Sequence, residues 1–399
     1  AHPLVFLVLG VVTFALHMTA VNVMLGTLGL AAVGSFSSNP YWQRLSGALG
    51  TTAKAAVAVA IVLGVAPLLF VQVIYDPFWY TSNVISAWWL LGFLSVLTVA
   101  YLALYRWYGL NHSYADDGTP SSRPGAPRGG FWLAGSLLLM IVCGAIMHAV
   151  VNQSLQPAEW MNWYAPGGTI VPYGRELHSL TIGRLAFFLL LSLPVTAAWL
   201  FGMRRYLLSS GETDYGYVDF IEGLAHAMAK AGAVLVLAAG ALWMAALPEN
   251  MEWFRTSVWM WIALVPIAYF GAMSFIQKKR KLCIFCNYMA FGMTIIMTIV
   301  LAAVREVLRF VTLLDAVGWN ALDYKITMDW PSTAIFFVTF LVLGGLNLSY
   351  LLTLAWKSGQ TKDLYTPSSG LTRVGTLAIA SHICWVAGYF IIGWIVING

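Results

Sequence analysis

Apolar runs of about twenty positions alternate with short polar breaks from one end of the 399-residue chain to the other. A hydrocarbon core about 30 Å thick takes roughly 20 helical residues to cross, so each run is long enough for a membrane span. Reading the runs between Gly/Pro-rich breaks predicts ten helices, near 4–34, 53–75, 84–108, 131–155, 177–204, 221–247, 257–277, 284–311, 332–356 and 374–397. The fold class expected is all-α, a polytopic transmembrane bundle forming one integral membrane domain over 1–399. Breaks such as "NHSYADDGTPSSRPGAPRGG" and "KSGQTKDLYTPSSGLTR" are too short for a soluble domain, and no internal repeat is visible. The opening stretch, "AHPLVFLVLGVVTFALHMTAVNVMLG", lacks a basic leader region and a small-residue cleavage site, so it reads as the first span rather than a signal peptide.

Composition agrees. The chain is 60% hydrophobic and only 9% charged, against about 25% charged in soluble domains, which excludes a surface that faces water all round. Its partners therefore include membrane lipid. The net charge of +5 is spread over the loops, and without a basic aromatic stripe nothing points to nucleic acid. One set of loops carries Arg44, Lys54, Arg106, Arg123, Arg128, Arg204, Arg205, the run "QKKRK" at 277–281, Lys357, Lys362 and Arg373. The alternate set carries Asp76, Glu159, Glu249, Glu252, Asp315, Asp323 and Asp329. The positive-inside rule makes the first set cytoplasmic and puts both termini on the outer, periplasmic side of a bacterial or archaeal cytoplasmic membrane. Four cysteines are too few for a disulfide framework, and Cys283 and Cys286 read as packing thiols, because zinc and iron–sulfur sites normally need four such ligands.

Ionisable residues inside spans are functional candidates. Here they are mostly histidines: His17, His148, His178, His226 and His382, each in a different span. Neutral imidazole is a common metal ligand, and haem iron takes one or two axial ligands, often His/His or His/Met. Separate histidines in a Trp- and Met-rich bundle suit one to three b-type haems; the bland alternative is that each bonds a neighbouring helix. By depth, His178, His148 and Met260 fall near the outer face, His17 and His382 nearer the middle, and His226 nearer the cytoplasmic side on one face with Lys230. Arg184 lies two turns into the fifth span. Arg305 and Arg309 share a helical face with Glu306 beside them, placed to meet haem propionates or quinone oxygens, or to cap the span. Trp79, Trp88, Trp160, Trp163, Trp253, Trp259, Trp319 and Trp330 sit at span ends, where an interfacial belt accounts for most of them.

Several segments resemble subunit I of cytochrome bd quinol oxidases. They are "FALHMTAVNVMLG" with His17, "LGVAPLLFVQVIYDPFWYTSN", "AVVNQSLQPAEW", and "RELHSLTIGRLAFF" with His178 opening the fifth span. The likeness covers roughly residues 1–280 and leaves 281–399 as additional C-terminal spans. It implies a haem b-containing membrane subunit in which His178 and Met260 are the axial pair of a low-spin haem and His17 is also a haem ligand; His148 or His382, intramembrane histidines of other spans, are the candidates for further ligands. The chain departs from that family at two places. Its third span, "VISAWWLLGFLSVLTVAYLALYRW", has none of the family's glutamates, and the outer loop after the sixth span is reduced to "LPENMEWFRTS". The expectation is thus an electron-transfer subunit that kept haem and lost the oxygen site, exchanging electrons between the quinone pool and an outer-face partner. That partner would be a multihaem c-type cytochrome or another redox subunit, since no C-x-x-C-H motif occurs in this chain. The alternatives are an oxygen-reducing quinol oxidase, a haem-free quinone-binding membrane anchor, and a transporter.

Overall fold

The computed structural model describes residues 2–114, 120–122, 127–171, 173–279, 286–327, 330–358 and 365–398. Ten helices among these residues are long and apolar enough to cross a membrane, which matches the periodicity of the apolar runs. The chain divides into two compact units, one running to Lys325 and one from Ile326.

In the first unit, α1 (Pro3–Ser35) and α2 (Pro40–Ile74) form a long antiparallel pair. α2 begins thirteen residues before the apolar run because a local start signal overrides Arg44 and Lys54. Asn39 Oδ1 accepts from Tyr41 N–H at 2.8 Å, and Pro40 occupies the first helical position, where no N–H is needed. The two cations are accommodated by rings: Arg44 lies 4.0 Å from the Tyr217 ring centroid and Lys54 3.4 Å from that of Tyr108. A short helix α3 (Asp76–Ile85) follows, then α4 (Ala87–Asn111). A small antiparallel hairpin pairs 112–114 with 120–122. Then come α5 (Gly130–Gln153), α6 (Trp160–Tyr164), α7 (Ile182–Leu190), α8 (Ser192–Ser209), α9 (Tyr215–Ala245), α10 (Val258–Lys279) and α11 (Cys286–Val317).

Span 5 departs from expectation. Residues 174–181 are not helical, so His178 sits four residues ahead of α7 rather than at its mouth. The span itself breaks at Leu191, just before Pro194, which has no N–H to return to the preceding turn. The core of this unit is close helix contact around Leu28, Leu45, Leu49, Trp107, Phe201 and Tyr217, all buried. Glycines permit it: a Cβ on Gly26 would fall 1.9 Å from Thr196 Oγ1, and one on Gly50 would fall 2.1 Å from the Trp107 ring. Trp79 departs from the belt reading, since it is 4% exposed and packs on Ile146 and Val150. Cys283 lies outside the described residues, and Cys286 is disulfide-bonded rather than a packing thiol.

The second unit holds α12 (Trp330–Thr339), a π-helical turn (Phe340–Gly344), α13 (Gly345–Ser358) and α14 (Ser369–Asn398), with α13 and α14 paired. His382, on α14, donates from Nδ1 to the Ala378 carbonyl at 2.8 Å, and its Nε2 lies 3.4 Å from Asn347 Nδ2.

Candidate functional site

At the end of the first unit where α1 and α7 begin and α2, α5 and α11 finish, the helices line a partly open cavity of about 490 Å³. That lies within the roughly 300–1,000 Å³ usual for small-molecule and cofactor sites. Most of its wall is apolar, from residues such as Phe6, Phe14, Leu68, Phe93, Met140 and Phe188. Five of the residues singled out in the sequence line it together: His17, His148, Arg184, Arg305 and Arg309, with Glu306 among them.

The two imidazoles are set differently. His17, on α1, is held by Nδ1 against the Ala60 carbonyl at 2.9 Å, with no hydrogen-bond partner for its Nε2 among the described residues. Gly64 makes room for it, because a Cβ there would lie 2.9 Å from His17 Cε1. His148, on the last turns of α5, has a buried Nε2 without a hydrogen-bond partner. An orphaned buried nitrogen is costly and asks for a partner. A histidine whose second nitrogen is fixed by a backbone carbonyl is the usual arrangement of an oriented metal ligand.

The cations are equally distinctive. Arg184 and Arg309 are each 5% exposed. Arg184 reaches Asn152 Oδ1 at 3.5 Å, and Arg305 stands 4.1 Å from the Phe14 ring centroid. Glu306 Oε2 lies 3.4 Å from Arg309 Nη1 and 3.9 Å from Arg305 Nη1. Three guanidiniums against one carboxylate leave an excess of two positive charges on an apolar wall. Such charge needs anionic company, since several kcal/mol of desolvation weighs on each unpaired ion.

The other sequence candidates lie elsewhere. His178 is outside the cavity wall, its ring stacked on Trp163 at 4.9 Å with only 2° between the planes. Burial holds its pKa below the ordinary imidazole value, against a smaller pull from Glu176. Met260, near the start of α10, is also absent from the wall, so the structure does not bring that pair to the cavity. His382 belongs to the second unit. His226 contacts Ser274 Oγ at 2.9 Å and Glu222 at 3.8 Å instead of pairing with Lys230.

Sequence reading quoted Asn152–Gln153 only as part of the segment "AVVNQSLQPAEW" and missed that this pair organises this end. Asn152 Nδ2 donates to the Ser179 carbonyl at 2.9 Å and to Thr181 Oγ1 at 3.1 Å. Gln153 Oε1 accepts from the His178 N–H at 2.8 Å and from Ser86 Oγ at 3.1 Å. Two adjacent amides at the end of an apolar run were the signal for that role. No family model matches the chain, and neither a curated protein nor a solved structure is detectably similar to it.

Proposed function

We propose that this chain is a haem b-bearing electron-transfer subunit of a bacterial or archaeal cytoplasmic membrane, distantly related to subunit I of cytochrome bd quinol oxidases. In this reading both termini face outward, and the chain exchanges electrons between the quinone pool and a c-type cytochrome on the outer face. The observation that carries the proposal is the cavity's donor set. Two imidazoles, each with a nitrogen that has no hydrogen-bond partner among the described residues, share an apolar chamber with an excess of two positive charges. A b-type haem matches each property: iron takes two axial imidazoles, the macrocycle is flat and apolar, and its two propionates supply two negative charges. His17 and His148 would hold the iron, and Arg184, Arg305 and Arg309 the propionates. When bound, the group supplies one-electron chemistry; the chain supplies position, low dielectric and positive charge that favours the reduced form. Glu306 keeps Arg305 and Arg309 side by side.

The test is a dithionite-reduced minus oxidised spectrum of the purified chain, with pyridine haemochrome counting. A low-spin b-type spectrum is expected, and His17→Ala or His148→Ala should abolish or convert it. A colourless preparation from haem-replete cells sinks the reading. A haem lost in neither variant refutes the ligand assignment.

A further inference from the structure

The helices α2 and α4 are tied together near both ends and part between them. Near one end Gly50 admits the Trp107 ring, and Lys54 Nζ lies 3.4 Å from the Tyr108 ring centroid. At the other end α3 joins the two helices and is fastened to α5. Trp79 packs on Ile146 and Val150, Ser82 Oγ donates to the Val150 carbonyl, and Gln153 Nε2 donates to the Ser82 carbonyl at 3.3 Å. In the stretch between, Ile61 and Val65 of α2 and Leu94 of α4 line the cavity, yet they are 40%, 52% and 59% exposed. A side chain that faces inside and outside at once marks an opening. Behind it Met140 and Cys143 of α5, also on the cavity wall, are buried.

Depth decides what this opening meets. At 1.5 Å per residue, Leu94 lies about 10 Å from the start of α4, and Val65 and Ile61 about 14 and 20 Å from the end of α2. Each headgroup layer is only about 5–7 Å thick, so the gap opens on acyl chains rather than on water. Its three rim residues are apolar, whereas the cavity also holds Arg184, Arg305 and Arg309 against the single carboxylate of Glu306. Pro67 removes one hydrogen bond from α2 in this same stretch, which lets the helix bend and widen the gap.

We infer that the cavity is filled from the bilayer, through the gap between α2 and α4, by a lipid-soluble amphiphile whose acidic groups come to rest against the arginines. It rests on the haem reading only for naming haem as that amphiphile. Carboxyl groups cross hydrocarbon as neutral acids and ionise where guanidiniums favour the charged form. A rim of this kind governs how fast the ligand enters and leaves, and it has no part in how tightly the ligand is held.

The experiment fills the gap. Leu94→Trp and Val65→Trp put a bulky ring at the rim, and Leu94→Ala widens it. Val99→Trp is the control, since Val99 is exposed on α4 but absent from the cavity wall. Apoprotein in liposomes is loaded with haemin dissolved in the lipid, the Soret band is followed in time, and release is read by capture on apomyoglobin. Filling the gap should slow loading and release together by about tenfold, leaving affinity and the final spectrum unchanged. Leu94→Ala should speed both, and Val99→Trp should alter neither. Equal rates in every variant, or weaker binding without slower loading, would overturn the inference. A second arm needs no haem. A lipid-soluble aryl diazirine photolysed with the apoprotein in liposomes should label Met140 and Cys143 as well as the exposed Leu102, read by peptide mass spectrometry. Leu94→Trp should protect only the first two. Label at Leu102 with none at Met140 and Cys143 would overturn the inference whatever the haem result. Labelling of Met140 and Cys143 in a chain that never takes up haem would sink the haem reading and leave the passage standing.

Discussion

Gly64 offers a measurement of how tightly the cavity holds its histidine. A methyl group placed there by Gly64→Ala would fall 2.9 Å from His17 Cε1 and 3.0 Å from Nδ1. An ordinary contact is about 3.4 Å, so the ring must retreat by about 0.5 Å. His17 Nδ1 now sits 2.9 Å from the Ala60 carbonyl. The same retreat, taken along that bond, carries it to the edge of hydrogen-bond range, where about 0.5–1.5 kcal/mol of net stabilisation is lost. For a metal ligand the penalty is larger, because losing the group that orients an imidazole typically costs 10–100-fold in metal affinity. Gly144→Ala is the matched control on the same wall, since its methyl would meet only Leu189 Cδ2, at 3.9 Å. Haem retention is measured by titrating the purified variants with apomyoglobin as competitor and following the Soret band. Gly64→Ala should lose haem 10–100-fold more readily than Gly144→Ala. Equal retention in the two variants would refute the claim that Gly64 clears space for a ligating ring.

Three further outcomes are expected. Gly26→Ala, which drives a methyl onto Thr196 Oγ1 at the α1–α8 crossing, should destabilise the bundle by about 1–3 kcal/mol or more, read as a lowered unfolding midpoint in detergent. Arg184→Leu removes one buried cation from the cavity and should lower the haem midpoint potential in a redox titration, because reduction adds negative charge there; an unchanged or raised potential contradicts the placement. Glu212 has its carboxyl held below the usual range by the Asp214 N–H first and then by Arg44. Its folded pKa lies under the unfolded one, so its contribution is full above about pH 4.5 and fades as pH falls through the folded value. Glu212→Gln should therefore lower stability slightly at neutral pH, converge with the unaltered chain in acid, and so flatten the acid limb of the stability curve.

The spans were legible because hydrocarbon forces every crossing helix to announce itself as a long apolar run. Arg305, Glu306 and Arg309 were legible as a group because helical spacing alone puts them side by side. Local hydropathy misplaced the start of α2, where Asn39 and Pro40 carry the signal that Arg44 and Lys54 obscure. It also extended span 5 backwards through His178, since nothing within "RELHSLT" shows that Ser86, Trp89, Asn152 and Gln153 reach across from other helices to hold it open. The cavity was out of reach for the same reason. That His17 and His148 share a chamber with Arg184 is a fact about how separate helices meet, and no spacing along one helix encodes it.

Asn152 and Gln153 stand next to each other in the chain yet serve two masters. One steadies the Arg184 guanidinium and the start of α7, and the other pins the backbone beneath His178. A drift of α5 by a fraction of a turn would disturb both at once, so the inner cation and the outer ring cannot be retuned separately through this segment. Lineages that alter one amide would have to compensate at the other, and paired replacements there would show strong non-additivity where isolated changes elsewhere on α5 simply sum.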